Sequence, residues 1–303
     1  MAEKWTTWVG GASSVWDTAG NWSNGVPDAD DTAVIDGAVS ITGGTVTAND
    51  IKRLYVARSY TGAIGSTGTP LEVDVDNLSV DNNAAGSTHY IHLLGSTFTT
   101  PTVTVNGLKV GAALYISGTI NLAIFEPTLL GTVYIGNSAS KTAVIKDLVL
   151  LSTAGSVDAS TAANVAWASS AAVDVMSGNL TLGENVGTNS TLTMSGGTVT
   201  VSGWTATTGD TFRVLGGIVK WNAGSTGISA SAVNAVNTVE LLGGSFSLEA
   251  NENIFVGFGT VTQFAGDLNL NSSFANVDIT VAYNRYGGTF APSAQVAITQ
   301  TPK

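Results

Sequence analysis

The chain has 303 residues, no cysteine and a formal net charge of −11, from 22 acidic residues against 11 Lys and Arg. The few cations are scattered and form no basic stripe, which argues against nucleic-acid binding. The absence of cysteine excludes disulfides and thiolate metal sites. Only 11% of residues are charged and 44% are hydrophobic, so we expect a folded chain whose neutral surface meets other protein, rather than a disordered one.

The first segment, residues 1–36, is rich in tryptophan. Four of the seven tryptophans lie within the first 22 residues, namely Trp5, Trp8, Trp16 and Trp22. Rings of this size predict a cap over the open end of the fold, or an anchor into a neighbouring protein, because buried aromatics dominate interface energetics; both can hold at once. The spacing favours Trp5 and Trp8, before Gly10-Gly11, as anchors, and Trp16 and Trp22 as caps.

The same segment ends in acidic residues and shows no sign of export. Asp31 and its neighbours follow Pro27, and we expect them to fix a turn through side-chain to backbone hydrogen bonds rather than to bind metal. Residues 1–5 lack the apolar stretch of a signal peptide, and no run of 18 apolar residues occurs. We therefore expect no membrane span, and synthesis in the cytoplasm without export by the general secretory route.

Residues 37–175 form a first section with long, irregular turns. Glu72, Asp74 and Asp76 alternate with apolar residues, which predicts three carboxylates on one face of a strand, roughly 7 Å apart. Such a row could serve glycoside hydrolysis or hold Ca²⁺, but a solvated outer face explains it with no added assumption and is the interpretation we favour. His89 and His92, three apart on a strand, face opposite sides and cannot share an ion.

Residues 176–290 repeat a short phrase, in which an apolar residue, any residue and glycine precede alternating apolar positions. Gly-Gly copies begin at Met194, Val214 and Leu241, and a version one residue shorter begins at Ile116, Met176 and Phe264. From residue 178 onward the glycines recur about every 22 residues, at 178, 196, 216, 243, 266 and 287. A unit of this length corresponds to one turn of a solenoid.

The phrase pairs a turn with a strand. Glycine permits a sharp change of direction, and the alternation that follows is typical of a strand with one wet face. We predict an all-β, right-handed parallel β-helix with coils of about 22 residues, a Trp-rich cap and the glycine phrases stacked at one corner. Its inward-facing residues should include Val199, Val219, Phe246 and Leu268.

The predicted organisation is one continuous body in three parts. Residues 1–36 form the cap or anchor, residues 37–290 form the shaft (irregular over 37–175, regular over 176–290), and residues 291–303 form a C-terminal tail. No elbow of the Gly-x-Ser-x-Gly type, zinc motif or phosphate loop occurs. The residues therefore predict no catalytic, cofactor-binding or metal-binding site, and the interface candidates are the four N-terminal tryptophans.

The N-terminal string resembles the opening of a group of tailed-phage virion proteins with a β-helix body. It runs from Trp8-Val-Gly-Gly through Trp16-Asp and Trp22-Ser to Pro27 and Asp31. The stretch 54–65 resembles a segment that follows this opening in the same group. Bacterial surface β-helix proteins, autotransporter-like passengers among them, have a similar start. The resemblance covers about the first 70 residues and implies a structural role on a virion or cell surface, without catalytic residues.

From this resemblance we expect a non-enzymatic virion structural protein, made in the host cytoplasm. The leading expectation is a head decoration or cement protein that bridges capsid subunits, contacts the major capsid protein and forms a homotrimer, with no cofactor, nucleic acid or membrane partner. The alternatives are a tail fibre or spike that contacts the host surface, a polysaccharide-degrading β-helix enzyme that uses the Glu72 to Asp76 face, and a bacterial adhesin.

Overall fold

In the computed structural model, most of the described residues lie in β-strands. The described residues are 4–81, 86–108, 112–124, 131–136, 143–151, 156–159, 165–182, 191–201, 211–221, 236–248, 254–270, 275–292 and 296–298. They contain 23 strands, a single 3₁₀ turn at Ala19–Asn21 and no α-helix. Within these ranges, no helix has the length and apolar character needed to cross a bilayer.

The chain divides into two compact units. Unit 1 comprises Met1–Ile145 with Ser152–Asp158, and unit 2 comprises Lys146–Leu151 with Ala159–Lys303. The strands of unit 1 are β1 (Trp5–Trp8), β2 (Thr32–Ile35), β3 (Gly44–Val56), β4 (Leu71–Val80), β5 (Thr88–Leu93), β6 (Thr102–Val105), β7 (Ala113–Ile124) and β8 (Thr132–Ile135). Two strands lie at the division, β9 (Ala143–Leu150) and β10 (Ser156–Ala159).

Unit 2 continues with shorter strands. They are β11 (Val165–Val175), β12 (Asn179–Leu182), β13 (Thr191–Met194), β14 (Thr198–Val201), β15 (Thr211–Val214), β16 (Ile218–Trp221), β17 (Val236–Leu241), β18 (Ser245–Leu248), β19 (Ile254–Gln263), β20 (Asp267–Leu270), β21 (Ala275–Arg285), β22 (Thr289–Pro292) and β23 (Val296–Ile298).

Unit 1 is built from parallel ladders whose inner rows are apolar. One ladder joins β1, β2, β3, β4, β6 and β7 in order. Alternation along each strand sends one row inward, and this row is buried at every level: Trp8, Ile35, Val56, Val80, Val105 and Ile124. A second ladder joins β5, β7, β8 and β10. Stacking of parallel strands with a continuous apolar interior defines a β-solenoid.

Unit 2 is a more regular β-solenoid with two parallel ladders. One joins β11, β13, β15, β17, β19, β21 and β23, and the other joins β12, β14, β16, β18, β20 and β22. In the second ladder, partners from Leu180 to Phe290 are 19, 20, 27, 22 and 22 residues apart. Val199, Val219, Phe246 and Leu268 are in register and at most 2% exposed. The predicted parallel β-helix is confirmed; its hand stays a prediction.

The glycine corner differs from the prediction in one respect: its turns all have the same length. A buried residue, three turn residues, one spacer and a second buried residue follow each other in the coils at 175–180, 194–199, 214–219, 241–246 and 263–268. The last coil, 285–290, keeps this length, with Arg285 exposed and Phe290 half-buried. The third turn residue is always a glycine with φ between +68° and +91°, at 178, 197, 217, 244, 266 and 288. The apparent shorter version arose from aligning the copies on the first glycine of each Gly-Gly pair.

The stacked glycines are required by close approach as well as by φ. A Cβ atom at Gly217 would lie 2.7 Å from the carbonyl oxygen of Gly197, and one at Gly244 would lie 2.6 Å from that of Gly217. From Gly197 onward, the residue after each of these glycines donates its N–H to the carbonyl of the glycine one coil earlier, as Ser245 does to Gly217 at 2.9 Å. The ladder of hydrogen bonds therefore continues around the corner.

Candidate functional site

The free edge of β1 is covered by a short return of the chain. The N–H of Val9 donates to the carbonyl of Asn21 at 2.7 Å, and the N–H of Ser23 donates to the carbonyl of Thr7 at 2.9 Å. The hydroxyl of Thr6 donates to the carbonyl of Gly25 at 2.8 Å. Residues 21–25 thus occupy the side of β1 that β2 leaves open, which protects an edge strand from pairing with another chain.

Three of the four tryptophans pack together behind this edge. Trp8, Trp16 and Trp22 are buried, and their rings meet edge to face, with centroids 5.2 Å apart for Trp8–Trp22 and 4.6 Å for Trp16–Trp22. The indole N–H of Trp8 donates to the carbonyl of Val39 at 3.0 Å, and that of Trp22 donates to the carbonyl of Trp16 at 2.7 Å. These contacts place Trp8 with the pair expected to cap the fold, although its spacing had favoured an anchor.

Asn21 organises the loop that carries Trp16. Its side-chain oxygen accepts the N–H groups of Ala12 and Ser13, both at 2.8 Å, and its amide donates to the hydroxyl of Ser13 and the carbonyl of Val15. This fully buried amide therefore satisfies its whole hydrogen-bonding capacity inside the loop. No pattern in the sequence shows that one side chain holds this loop.

Asp31 fixes a turn, as the sequence suggested. One carboxylate oxygen accepts the N–H of Asp28 at 2.9 Å and lies 2.9 Å from the ammonium of Lys4. Burial raises the pKa of the Asp31 carboxyl, but the hydrogen bonds from Asp28 and Lys4 outweigh it, so the pKa lies below its usual value. The same contact raises the pKa of Lys4. The Lys4–Asp31 ion pair holds residue 4, just before β1, against the turn at residues 28–31.

Trp5 differs from the other three because its side chain stays accessible. The residue is 58% exposed, while its carbonyl accepts the side-chain amide of Asn24 at 2.7 Å, so that its backbone is held. Its ring forms one wall of a cleft of about 220 Å³ on the outer face of unit 1. The other walls come from the in-register residues Thr32, Arg53 and Asn77, and from Tyr55 and Ser79 on the same face.

The cleft is suited to an apolar group. Its lining is almost wholly apolar, although Arg53, Asn77 and Ser79 contribute to it, as expected where long side chains lay their apolar parts along a sheet face. The Tyr55 hydroxyl donates to Asp81 at 3.3 Å, and burial together with that carboxylate raises the pKa of Tyr55. A space of this size takes one large side chain of a partner. Arg53 and Tyr55 were not candidates because only strand register brings them beside Trp5.

The three carboxylates of β4 do not share one open face. Asp74 is fully buried, and its two oxygens accept the N–H groups of Thr97 and Phe98 at 2.5 and 3.3 Å. Glu72 is half-buried and accepts the hydroxyl of Thr45 at 2.7 Å, whereas Asp76 is exposed. The expectation of a solvated row is therefore wrong for Asp74, because the alternation of β4 breaks there: Val73, Asp74 and Val75 are buried in succession.

The two histidines lie on opposite sides of β5, as their spacing indicated. His89 is fully buried with its ring 5.7 Å from that of Tyr60, and burial lowers its pKa to about 4. His92 is half-buried, and its Nδ1 lies 3.0 Å from the hydroxyl of Ser117. Burial also raises the pKa of Tyr60 above its usual value. Both histidines serve the packing of the coil.

In the part of the chain that the structure describes, no three His, Asp or Glu side chains group together in a way that could hold a metal ion. The feature best suited to recognition is the exposed Trp5 with its apolar cleft, on the same strand as the buried Trp8. Comparison of the chain with protein-family models, with curated proteins and with solved structures gives no match.

Proposed function

We propose that this chain is a non-enzymatic structural protein of a bacteriophage virion, a decoration or cement protein that bridges capsid subunits on the head. The class comes from the resemblance of the segment from Trp8 to Asp31 to the opening of phage virion proteins. A β-solenoid body with a low content of charge is compatible with it. The chain would then be made in the host cytoplasm and reside in the virion.

The observation that carries the proposal is the exposed Trp5 beside an apolar cleft. Trp8, Trp16 and Trp22 are buried inside the fold, whereas Trp5 is a large apolar residue that stays more than half exposed at the surface and lines the cleft. Tryptophans that anchor an interface are its strongest single contributors. We propose that an apolar side chain of another virion protein, such as the major capsid protein, enters this cleft and packs on Trp5.

The non-enzymatic character is supported by the environment of Asp74. A general acid or nucleophile for glycoside hydrolysis must reach the substrate, whereas the carboxylate of Asp74 is buried and accepts two backbone N–H groups. Only Asp76 of the three carboxylates is exposed. The remaining partner proposed is the chain itself, as a homo-oligomer, with a trimer suggested by the resemblance to phage fibres and decoration proteins.

The location can be tested in particles of the phage that encodes the chain. Heads and tails are separated, and the amount of the chain relative to the major capsid protein is measured by quantitative mass spectrometry. A cement protein should be found with the heads in a copy number comparable with that of the capsid subunit. Recovery of a few copies with the tails would replace the proposal with a tail fibre or spike, and absence from particles would overturn both.

Attachment can be tested by adding purified chain to particles that lack it. Trp5→Ala should leave unfolding almost unchanged, because the ring is more than half exposed, but should abolish binding to the particles. The matched control is Val9→Ala, which removes another exposed apolar side chain of the same segment and should bind normally. Normal binding of Trp5→Ala would exclude the cleft as the anchor. Deletion of residues 1–9 is unsuitable, because it removes β1 and Trp8.

A further inference from the structure

An apolar ridge runs along the glycine corner of unit 2. The first turn residue of each coil points outward, and in six of seven coils this residue is large and apolar: Leu151, Met176, Leu215, Leu242, Phe264 and Tyr286. Their vertical alignment follows from one repeated hydrogen bond, in which the N–H of the ridge residue donates to the last strand residue one coil earlier. The distance is 2.8 Å for Leu215 to Met194 and for Leu242 to Val214.

The ridge residues are exposed and are not needed by the turn. Their exposure ranges from 39% for Leu151 to 65% for Tyr286. The remaining coil, third in chain order, has Ser195 at this position. The N–H of Ser195 makes the same hydrogen bond, to the carbonyl of Val175 at 2.9 Å, so a polar residue serves the turn equally well. Six large apolar residues in line therefore need an explanation outside the coil, since exposed contiguous patches mark interaction sites.

Charge indicates what covers the ridge. Among residues 176–179, 195–198, 215–218, 242–245, 264–267 and 286–289, the only ionisable side chains are those of Asp267 and Tyr286. The whole chain has a net charge of −11, so two copies repel each other overall, and a neutral strip is a surface along which they meet at a lower electrostatic cost. The flanking glycines, serines and threonines are small and allow two such corners to approach closely.

The spacing along the ridge points to the same partner. Parallel strands stack about 4.8 Å apart, and the rings of Phe264 and Tyr286 follow this spacing, stacked at 5.0 Å and 10°. A surface that repeats at one coil per step over seven coils is matched by another surface with the same step, which a second copy supplies. The rings of Phe264 and Tyr286 each expose on the order of 100 Å² of surface. Together with the exposed surface of the four other ridge residues and Ile218, the total approaches the roughly 800 Å² that each partner buries in a standard interface.

We propose that this ridge packs against the same ridge of a second copy. Because such a contact pairs one surface with itself, it closes a two-fold dimer, in place of the trimer that the resemblance suggests. The inference rests on the self-association part of the proposed function and does not depend on the virion. It assigns that association to unit 2, whereas attachment to another protein is assigned to Trp5 in unit 1.

The test uses the oligomeric state of the purified full chain, measured by sedimentation velocity over a range of concentrations. Leu242→Glu should weaken association at least tenfold, because it buries a charge against an apolar surface. Thr200→Glu on the outer face of β14 is the matched control and should associate as the wild type does. Ser195→Leu fills the gap in the ridge and should tighten association about tenfold, the value of one buried leucine. All three sites are outward-facing, and circular dichroism checks the fold.

Because the chain has no cysteine, contact can also be observed directly. Leu215 is the middle of the seven ridge positions, so its copies meet whether the two ridges run in the same or in opposite directions. Leu215→Cys should form a disulfide-linked dimer on oxidation, and Thr200→Cys should not. A monomeric wild type, or association unchanged in Leu242→Glu, would overturn the proposal. If these tests fail while the wild type binds particles normally, only the ridge proposal is overturned. If Trp5→Ala binds particles normally while Leu242→Glu weakens association, only the proposed role of the cleft is overturned.

Discussion

Three buried polar side chains, those of Asn21, Asp74 and Gln263, are held by backbone groups of their own loop or of a neighbouring coil. Gln263 lies at an inward position where other coils have Val175, Met194 or Leu241, and it is fully buried. Its amide donates to the carbonyls of Gly266 and Thr289 at 3.0 and 2.8 Å, and its oxygen accepts the hydroxyl of Tyr283 at 2.7 Å. A polar residue is tolerated inside because every group has a partner.

His89 should make stability depend on pH between 7 and 5. Burial lowers its folded pKa to about 4, whereas an unfolded histidine has a pKa of about 6.5. The unfolded state therefore binds more protons in this range, and stability falls as the pH falls. The expected loss from pH 7 to pH 5 is about 2 kcal/mol.

This pH dependence can be measured by urea unfolding at the two pH values. His89→Leu should remove the component of about 2 kcal/mol, whatever its effect at pH 7. His92→Gln leaves His89 in place and should keep the wild-type dependence. An unchanged pH slope in His89→Leu would show that His89 is not the group responsible.

Asp74 should contribute to stability and not to chemistry. Asp74→Asn retains the shape but places an NH₂ group against an N–H donor of residue 97 or 98, so it should destabilise by about 1–3 kcal/mol. Asp76→Asn, two residues along the same strand and exposed, should change stability by less than about 0.5 kcal/mol. Guanidinium unfolding of both variants is the measurement. Equal effects would contradict the structural role of Asp74.

At the scale of the element, the strands could be predicted and the turn register could not. Alternation of apolar and polar residues, with glycine every coil, is enough to identify parallel strands with one buried face. In the repeated sequence phrase, Met176 and Met194 occupy the same position, since each precedes Ser-Gly. Their places differ because the positive-φ glycines are Gly178 and Gly197, and no local signal shows which glycine of a pair adopts that conformation.

The two methionines provide a matched test of the register. Met194 is fully buried, and its terminal methyl lies beneath Gly217, whereas Met176 is about half exposed. Met194→Ala should cost about 2–5 kcal/mol, because it leaves a cavity in the core. Met176→Ala should cost less than about 0.5 kcal/mol. Chemical unfolding in dilute protein, where self-association does not contribute, distinguishes them, and similar losses would refute the single turn length.

The candidate site was predictable only in part, for the same reason. The tryptophans stand out in the sequence, and their abundance predicts a cap or an anchor. The assignment of each ring depends on tertiary contacts, because Trp8 begins an inward row and Trp5, three residues earlier on β1, faces outward. The return of residues 21–25 over the edge of β1, which makes the cap, has no pattern in the sequence.

At the scale of the whole molecule, the balance between a neutral ridge and a charge of −11 predicts how association responds to salt. Copies that meet through an apolar strip gain nothing from opposite charges, but their remaining surfaces repel. Raising the salt from about 0.01 M to about 0.1 M shortens the Debye length from about 30 to about 10 Å and screens that repulsion. We therefore expect association to strengthen with salt, as sedimentation velocity at a fixed protein concentration would show.

Leu242→Glu should remain dissociated at both salt concentrations, because screening cannot restore an apolar contact. Weakening of the wild-type oligomer by salt would instead indicate an interface of complementary charges and would exclude the ridge.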